Sequence, residues 1–380
     1  RCGGVPDYFY GYTVPSTGYL KVFGLRPYPP GFILQFPHPE SPAALPAFAD
    51  QPKLARIYRE FERWGEILGI ADAGALNDLI AGGQGPDLIR VSEALHEKKV
   101  ALVADMIQCN RERVKVVLIA GPSSSGKTTF IQRLSIQLRV LGLLPVAISL
   151  DDYFVSRDRT PLGQDGKPDF EALAAIDLEY FNRQLQELIQ GRAVLAPRYD
   201  FIRGERAADG RQLVLDGERG IILVEGIHGL NESLTPAIPR EQKFKVYVSA
   251  LTQLNLDRHN RIPTTDSRII RRIVRDHRFR GHDALQTIRL WPSVRRGENR
   301  DIFPYQEEAD VMFNSALPYE LAVLKRFAEP LLAEVGPDAE EHSEAKRLLK
   351  FLSYFLPLDP CEVPGNSILR EFIGESCFVR

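Results

Sequence analysis

Apolar runs long enough to cross a membrane are missing from these 380 residues; none approaches the roughly eighteen residues that a helical span needs. No signal-peptide pattern opens the chain. Cysteine is scarce: Cys2, Cys109, Cys361 and Cys377 lie far apart and form no C-x-x-C pair. That usage argues against a disulfide framework and suits a reducing, cytoplasmic setting. Cys2-Gly3-Gly4 has the form of a metal-binding turn, yet no His or Cys follows at ligand spacing, so zinc is not expected there. Charge of one sign is also lacking. With 48 Lys and Arg against 50 Asp and Glu, the formal charge is −2, which argues against a polyanion-coating surface while leaving room for local basic patches. There is no internal repeat and no low-complexity tract. At 44% hydrophobic and 26% charged, the composition is that of a globular protein, with length for two domains or for one large α/β domain with appendages.

What is present centres on Val114 to Phe130, VKVVLIAGPSSSGKTTF. An apolar, β-branched run predicts a strand ending at Gly121, and a helical pattern begins at Lys127. Between them, Gly121 to Thr128 spell G-x-x-x-x-G-K-T, the phosphate-binding loop of P-loop NTPases. Gly121 and Gly126 let the backbone curl around phosphates without a Cβ in the way. The N–H groups of Ser123, Ser124, Ser125 and the helix start then face an anion, aided by the helix dipole. Lys127 can reach the outer phosphates of ATP, Thr129 continues the cradle, and the Thr128 hydroxyl can complete the shell of a Mg²⁺ ion.

Taken in order, residues 1–50 are rich in Pro, Gly and aromatics and read as short strands and turns closing in a linker. Arg1 is not an initiator Met, and the opening reads like the middle of a domain, so the chain is expected to be a fragment. Residues 51–113 form a helical connector. Leu54, Ile57, Tyr58, Phe61, Trp64 and Leu68 recur at helical steps before Gly69. A second helix is expected from Asp87 to about Arg111, with Leu88, Val91, Leu95, Leu102 and Met106 on its apolar side and His96 on a solvated face. Beyond the P-loop helix come the strand PVAISL, helical residues around 171–190, and the strands IILV, FKVYVS and DVMF. Strands alternating with helices imply a parallel sheet with ligands beyond its C-terminal edge. The P-loop, Asp151 and Glu225 all fall at that edge. The expected fold class is therefore α/β, a P-loop NTPase domain over 114–316, followed by a helical extension over 317–380.

Phosphoryl transfer needs held phosphates, Mg²⁺, an oriented acceptor and positive charge on the transition state. Asp151 is placed to accept the acceptor's proton or to bind Mg²⁺, with Asp152 as the alternative. Glu225 ends an apolar strand as a metal-binding acid does. His228, in EGIHGLN, fits either a turn or a substrate contact. Arg268 to Gly281 carries six arginines, with Ile269, Ile270, Ile273 and Val274 on one side. It reads as a mobile lid near 264–300 that closes over ATP. Among these arginines only Phe279 offers a stacking ring, which weakens a nucleic-acid reading. No N-K-x-D motif occurs, which weakens a GTPase reading.

These blocks resemble the uridine kinase and phosphoribulokinase family of P-loop kinases. The resemblance rests on GPSSSGKTT, Asp151-Asp152-Tyr153-Phe154, RYDF, VEGI and TDSRIIRRIVRD, from Val114 to about Ser315. PSTGYLKVF, EGIHGLN, FLSYFLP and NSILREFIG extend it to longer bacterial nucleoside or uridine kinases with a TGS domain and a threonyl-tRNA-synthetase-like accessory domain in front. Residues 1–50 would then be the end of that accessory domain. The resemblance implies Asp151 as catalytic base, Lys127 on the phosphates, and Thr128 and Glu225 on Mg²⁺. It further implies Arg272, Arg275 and Arg280 as phosphate-holding arginines of the lid, and Tyr199 and Phe201 as lining of a nucleoside pocket. The family's ribose-binding aspartate appears as Glu171, its pyrimidine-contacting histidine falls near Gly204, and the second arginine of the lid appears as His282. The expected partner is a small hydroxyl compound, a nucleoside or else a sugar or polyol, and no membrane. An ATP-dependent RNA-binding or regulatory protein is the rival from another class, and no feature sets an oligomeric state.

Overall fold

The computed structural model describes residues 13–38, 41–163, 166, 168–200, 203–252, 254–257 and 260–378. They fall into two compact units, Arg1–Pro52 and Lys53–Arg380. In the first unit, Gly24–Tyr28 pairs antiparallel with Gly31–Gln35 around the proline-rich turn, in line with the strands and turns expected there. Cys2-Gly3-Gly4 lies outside the described residues.

The second unit opens with three helices, α1 (Pro52–Leu68), α2 (Ala73–Ala81) and α3 (Gly85–Cys109). In α1 the expected stripe is buried at Ile57, Phe61 and Trp64. In α3 the expected stripe holds at its start, where Leu88 is buried, and is displaced further along. Leu102 is exposed, while Val100, Val103, Ala104 and Ile107 are buried. His96 is not on a solvated face. It is fully buried, its Nε2 3.1 Å from the Ala316 carbonyl, with the rings of Trp64 and Phe313 at 5.8 and 5.3 Å. Burial, with Arg133 nearby, holds its pKa well below the usual histidine value, so it is a neutral core residue. The charged run around it misled the periodicity, because Glu93 and Glu97 both pair with Arg133 of a neighbouring helix.

The chain then builds five parallel strands: β1 (Val116–Ala120), β2 (Leu144–Ser149), β3 (Gly220–Glu225), β4 (Lys243–Ser249) and β5 (Val311–Asn314). Their spatial order is β5-β4-β1-β3-β2. Every residue of β1 is buried, as a central parallel strand covered on both faces requires. One face packs Val116, Leu118, Ile148 and Val224 against Phe181, Leu185 and Leu188 of α5 (Leu178–Ile189). Elsewhere Ile57 of α1 joins Ala120, Tyr247 and Met312. Because β1 has β3 on one side and β4 on the other, the connections diverge at its end and open a crevice there.

The helix expected over 171–190 begins only at Leu178. Asp177 caps it by accepting from the Tyr180 N–H at 3.1 Å, and Glu171 stands on the loop before it. The Arg-rich stretch expected as a lid near 264–300 forms two helices, α6 (Thr264–Phe279) and α7 (Ala284–Asp301). Ile269, Ile270, Ile273 and Val274 are buried as expected, but so are Arg268 and Arg271. The last part of the chain adds α8 (Glu320–Ala333), α9 (His342–Leu352) and α10 (Arg370–Ile373).

Candidate active site

The P-loop joins β1 to α4 (Lys127–Val140). Ser124 and Gly126 take positive φ values of 59° and 83°, a local curl that turns successive N–H groups inward. At Gly121 a Cβ would run into the Val248 carbonyl of β4, so only glycine allows the strand end to lie that close. The Ser124 and Ser125 hydroxyls are buried without a hydrogen-bond partner among the described residues, as fits a cradle built for an anion. The Lys127 ammonium donates to the Gly121 and Pro122 carbonyls at 2.8 and 3.1 Å, which folds it over the loop it serves.

Around Lys127 the sheet edge gathers carboxylates. Burial lowers the Lys127 pKa, and the charges of Glu225, Asp151, Glu371 and Glu171 oppose that fall. Asp151 stands just past β2, reached by solvent yet crowded by protein. That crowding raises its pKa, against the pull of Lys127 and Arg280. Glu225 is pushed up to about 7 by desolvation, and a hydrogen bond from the Thr128 hydroxyl acts in the opposite sense. Its Oε2 is buried with no hydrogen-bond partner among the described residues. An unpartnered carboxylate oxygen beside a threonine hydroxyl is an all-oxygen donor set, which fits a hard cation such as Mg²⁺. Asp152 is occupied differently: its Oδ1 accepts from the Tyr199 N–H at 3.2 Å, so it anchors the RYDF segment and leaves Asp151 to face the cleft.

The arginines divide into two sets. Arg272, Arg275 and Arg280 converge on Asp276, itself fully buried, at 3.1, 2.7 and 3.7 Å. Arg272 also donates to the Ser123 hydroxyl at 2.8 Å, so one guanidinium spans helix and loop. Arg280 keeps about half of its side chain exposed. Arg268 and Arg271 form the second set, which the sequence reading missed. Arg268 pairs with Glu298 of α7, and Arg271 with Glu320 of α8, all four buried. Glu298 also accepts from the Ser123 N–H at 3.1 Å, and Arg271 donates to the Ser124 carbonyl at 3.3 Å. These partners come from segments far apart in the chain, and no local pattern marks them. Thr129, assigned to the phosphate cradle, meets a further unforeseen residue, Glu371 of α10.

The acceptor side is less uniform. Glu171 is pushed up to about 7 by desolvation, against the pull of Arg272. The absence of a side chain at Gly297 lets α7 approach it, since a Cβ there would come within 2.6 Å of the Glu171 Cβ. His228 is buried in the turn after β3, and neither ring nitrogen makes a well-formed hydrogen bond. Burial lowers its pKa, so the ring is a neutral wall group. Tyr199 is buried in the cluster beneath the site, its ring edge-on to Phe154 at 5.6 Å. His282 is half-buried at the turn after α6, and its backbone N–H donates to the Asp276 carbonyl at 3.2 Å. Phe201 lies outside the described residues. Gly204 packs on Arg157: a Cβ there would lie 2.8 Å from its Nε.

A model of the Phosphoribulokinase / Uridine kinase family matches residues 116–321. A uridine kinase of Ligilactobacillus salivarius is 28% identical over 205 residues, covering 53% of this chain and 86% of that protein. The uridine-cytidine kinase C of Dictyostelium discoideum is 31% identical over 144 residues, or 36% of this chain and 29% of that protein. Among solved structures, a putative fructose transport system kinase from a Silicibacter species is 17% identical, covers 56% of this chain and 98% of its own, and has a TM-score of 0.41. A D-glycerate 3-kinase from Cryptococcus neoformans is 16% identical, covers 57% and 90%, and has a TM-score of 0.39.

Proposed function

This chain belongs to the Phosphoribulokinase / Uridine kinase family, a small-molecule kinase by that membership, and we propose that it moves the γ-phosphoryl group of ATP to a primary hydroxyl, with a nucleoside 5′-OH as first candidate. The observation that carries this reading is the convergence of Lys127, at the start of the helix after β1, with Asp151 and Glu225 at the ends of β2 and β3. Asp151 takes the acceptor's proton as its oxygen bonds to the γ-phosphorus and the bond to the β-phosphate oxygen breaks, leaving ADP. A carboxylate raised above its ordinary range is a better base near neutral pH than an ordinary one. Lys127, Arg272, Arg275 and Arg280 spread positive charge over the transferring group, and Asp276 fixes the three guanidiniums before substrate arrives. Thr128 and Glu225 would hold Mg²⁺, which when bound screens the phosphate charge.

A second acceptor class has its own support. By the resemblance, Glu171 reaches one methylene further than the family's aspartate, and the pyrimidine-contacting histidine falls near Gly204, which packs on Arg157. A site whose polar contacts are altered selects different hydroxyl compounds, so a sugar or polyol is the alternative acceptor. The test is product analysis by mass spectrometry with Mg²⁺-ATP and a panel of nucleosides, sugars and polyols. Lys127→Ala and Asp151→Asn serve as controls. A uridine or cytidine monophosphate absent from both controls supports the nucleoside, and another phosphorylated product supports the alternative. ATP hydrolysis with no acceptor product, especially if RNA stimulates it, overturns both.

A further inference from the structure

The C-terminal segment holds a carboxylate on the first turn of the P-loop helix. Thr129 is the third residue of α4, so its N–H has no acceptor within the helix and is among those a P-loop offers to phosphate. Here it donates to Oε2 of Glu371 at 3.0 Å, and the Thr129 hydroxyl donates to the same oxygen at 2.9 Å. The neighbouring residues bring this carboxylate in firmly. Ile368 packs so closely on the loop that a Cβ on Gly126 would come within 2.5 Å of its Cγ2. Phe372 is buried with the Arg271 guanidinium 5.0 Å above its ring. Ser367 donates to Glu93 of α3, and Arg370 donates to the Val363 and Pro360 carbonyls.

Glu371 also adds a fourth carboxyl group near Lys127, beside Asp151, Glu171 and Glu225. A phosphate oxygen and a carboxylate oxygen cannot both take the Thr129 N–H, and the two repel each other at that range. The segment lies outside residues 116–321, the part matched to the family.

We propose that residues 367–374 are an intramolecular competitor of nucleotide: with Glu371 on Thr129 the phosphate cradle is held partly closed, and a nucleoside triphosphate binds by displacing it. The inference rests on the P-loop being the nucleotide site. An occupant that must leave first lowers apparent affinity by the fraction of time it is docked. The tail thus sets the nucleotide affinity, and whatever holds it away activates the kinase.

Two measurements on the full chain test this. Isothermal titration with Mg²⁺-ATP compares the wild type, Glu371→Ala and Lys127→Ala. Hydrogen exchange follows residues 364–378 of the wild type with and without Mg²⁺-ATP. The expected result is roughly five- to tenfold tighter binding by Glu371→Ala, with faster exchange in the wild-type segment when ATP binds. Equal or weaker binding by a folded Glu371→Ala overturns the proposal. So does slower or unchanged exchange on ATP addition, a readout that stands even if the variant fails to fold. Binding to neither wild type nor Glu371→Ala, with Lys127→Ala no different, overturns the nucleotide reading and the proposal together.

Discussion

Arg268 grips both carboxylate oxygens of Glu298, at 2.5 and 2.6 Å, in a pair that solvent does not reach. The same carboxylate accepts the Ser123 N–H, so an ion pair between α6 and α7 sets the position of a P-loop residue. A helix fixed in this way is a wall of the site.

Breaking that pair from one side strands a buried charge. Glu298→Gln is expected to lose about 3–5 kcal/mol of stability, and Arg268→Met combined with Glu298→Leu distinctly less than the sum of the two single changes. Urea unfolding of the wild type, Glu298→Gln, Arg268→Met, Glu298→Leu and the double variant checks this. A single variant as stable as the wild type would show that the pair is not isolated from water.

Gly121→Ala places a methyl group on the Val248 carbonyl, a backbone atom that cannot rotate away. A loss of roughly 1–3 kcal/mol is expected from such overpacking, together with weaker ATP binding because the loop must shift. Thermal melts and ATP titration read the two effects separately.

Asp151→Asn keeps the shape of the side chain and removes the base. Turnover is expected to fall about 10²–10⁴-fold, with the KM for ATP little changed. Steady-state kinetics decide it: a rise in that KM with turnover preserved would make Asp151 a binding group instead.

Glu171 and Glu225 are both pushed up to about 7, from an ordinary value of 4.5. The folded state therefore holds protons that the unfolded chain has released between about pH 4.5 and 7. Their contribution to stability is complete below that window and is lost as pH rises through about 7, with a slope of at most about 1.4 kcal/mol per pH unit per group. Melting temperatures of metal-free protein are expected to fall from pH 5 to 7.5 for this reason. The Glu171→Gln and Glu225→Gln proteins should show a flatter profile, and Mg²⁺-ATP should offset the fall. A wild-type profile that rises across the window would contradict the assignment.

The sequence by itself determined the parts whose cause is local. G-x-x-x-x-G-K-T needs only its own backbone to make an anion cradle. The apolar runs that become β1 to β5 are legible because buried parallel strands are continuously hydrophobic, and Asp151 and Glu225 followed as the residues at their ends. The stripe of Ile57, Phe61 and Trp64 obeyed helical spacing in the same way.

What only the tertiary structure decided were pairings across long stretches of chain. His96 looked solvated until Glu93 and Glu97 were seen turning toward Arg133. The six arginines from Arg268 to Arg280 look alike in the sequence. Whether one is a buried strut, as Arg268 and Arg271 are, or faces the cleft, as Arg272 does, depends on carboxylates supplied by α7 and α8. Glu371 is 242 residues from Thr129, and no periodicity links them. Local pattern fixes which backbone can form. Where a charge ends depends on which distant partner replaces the water it gives up.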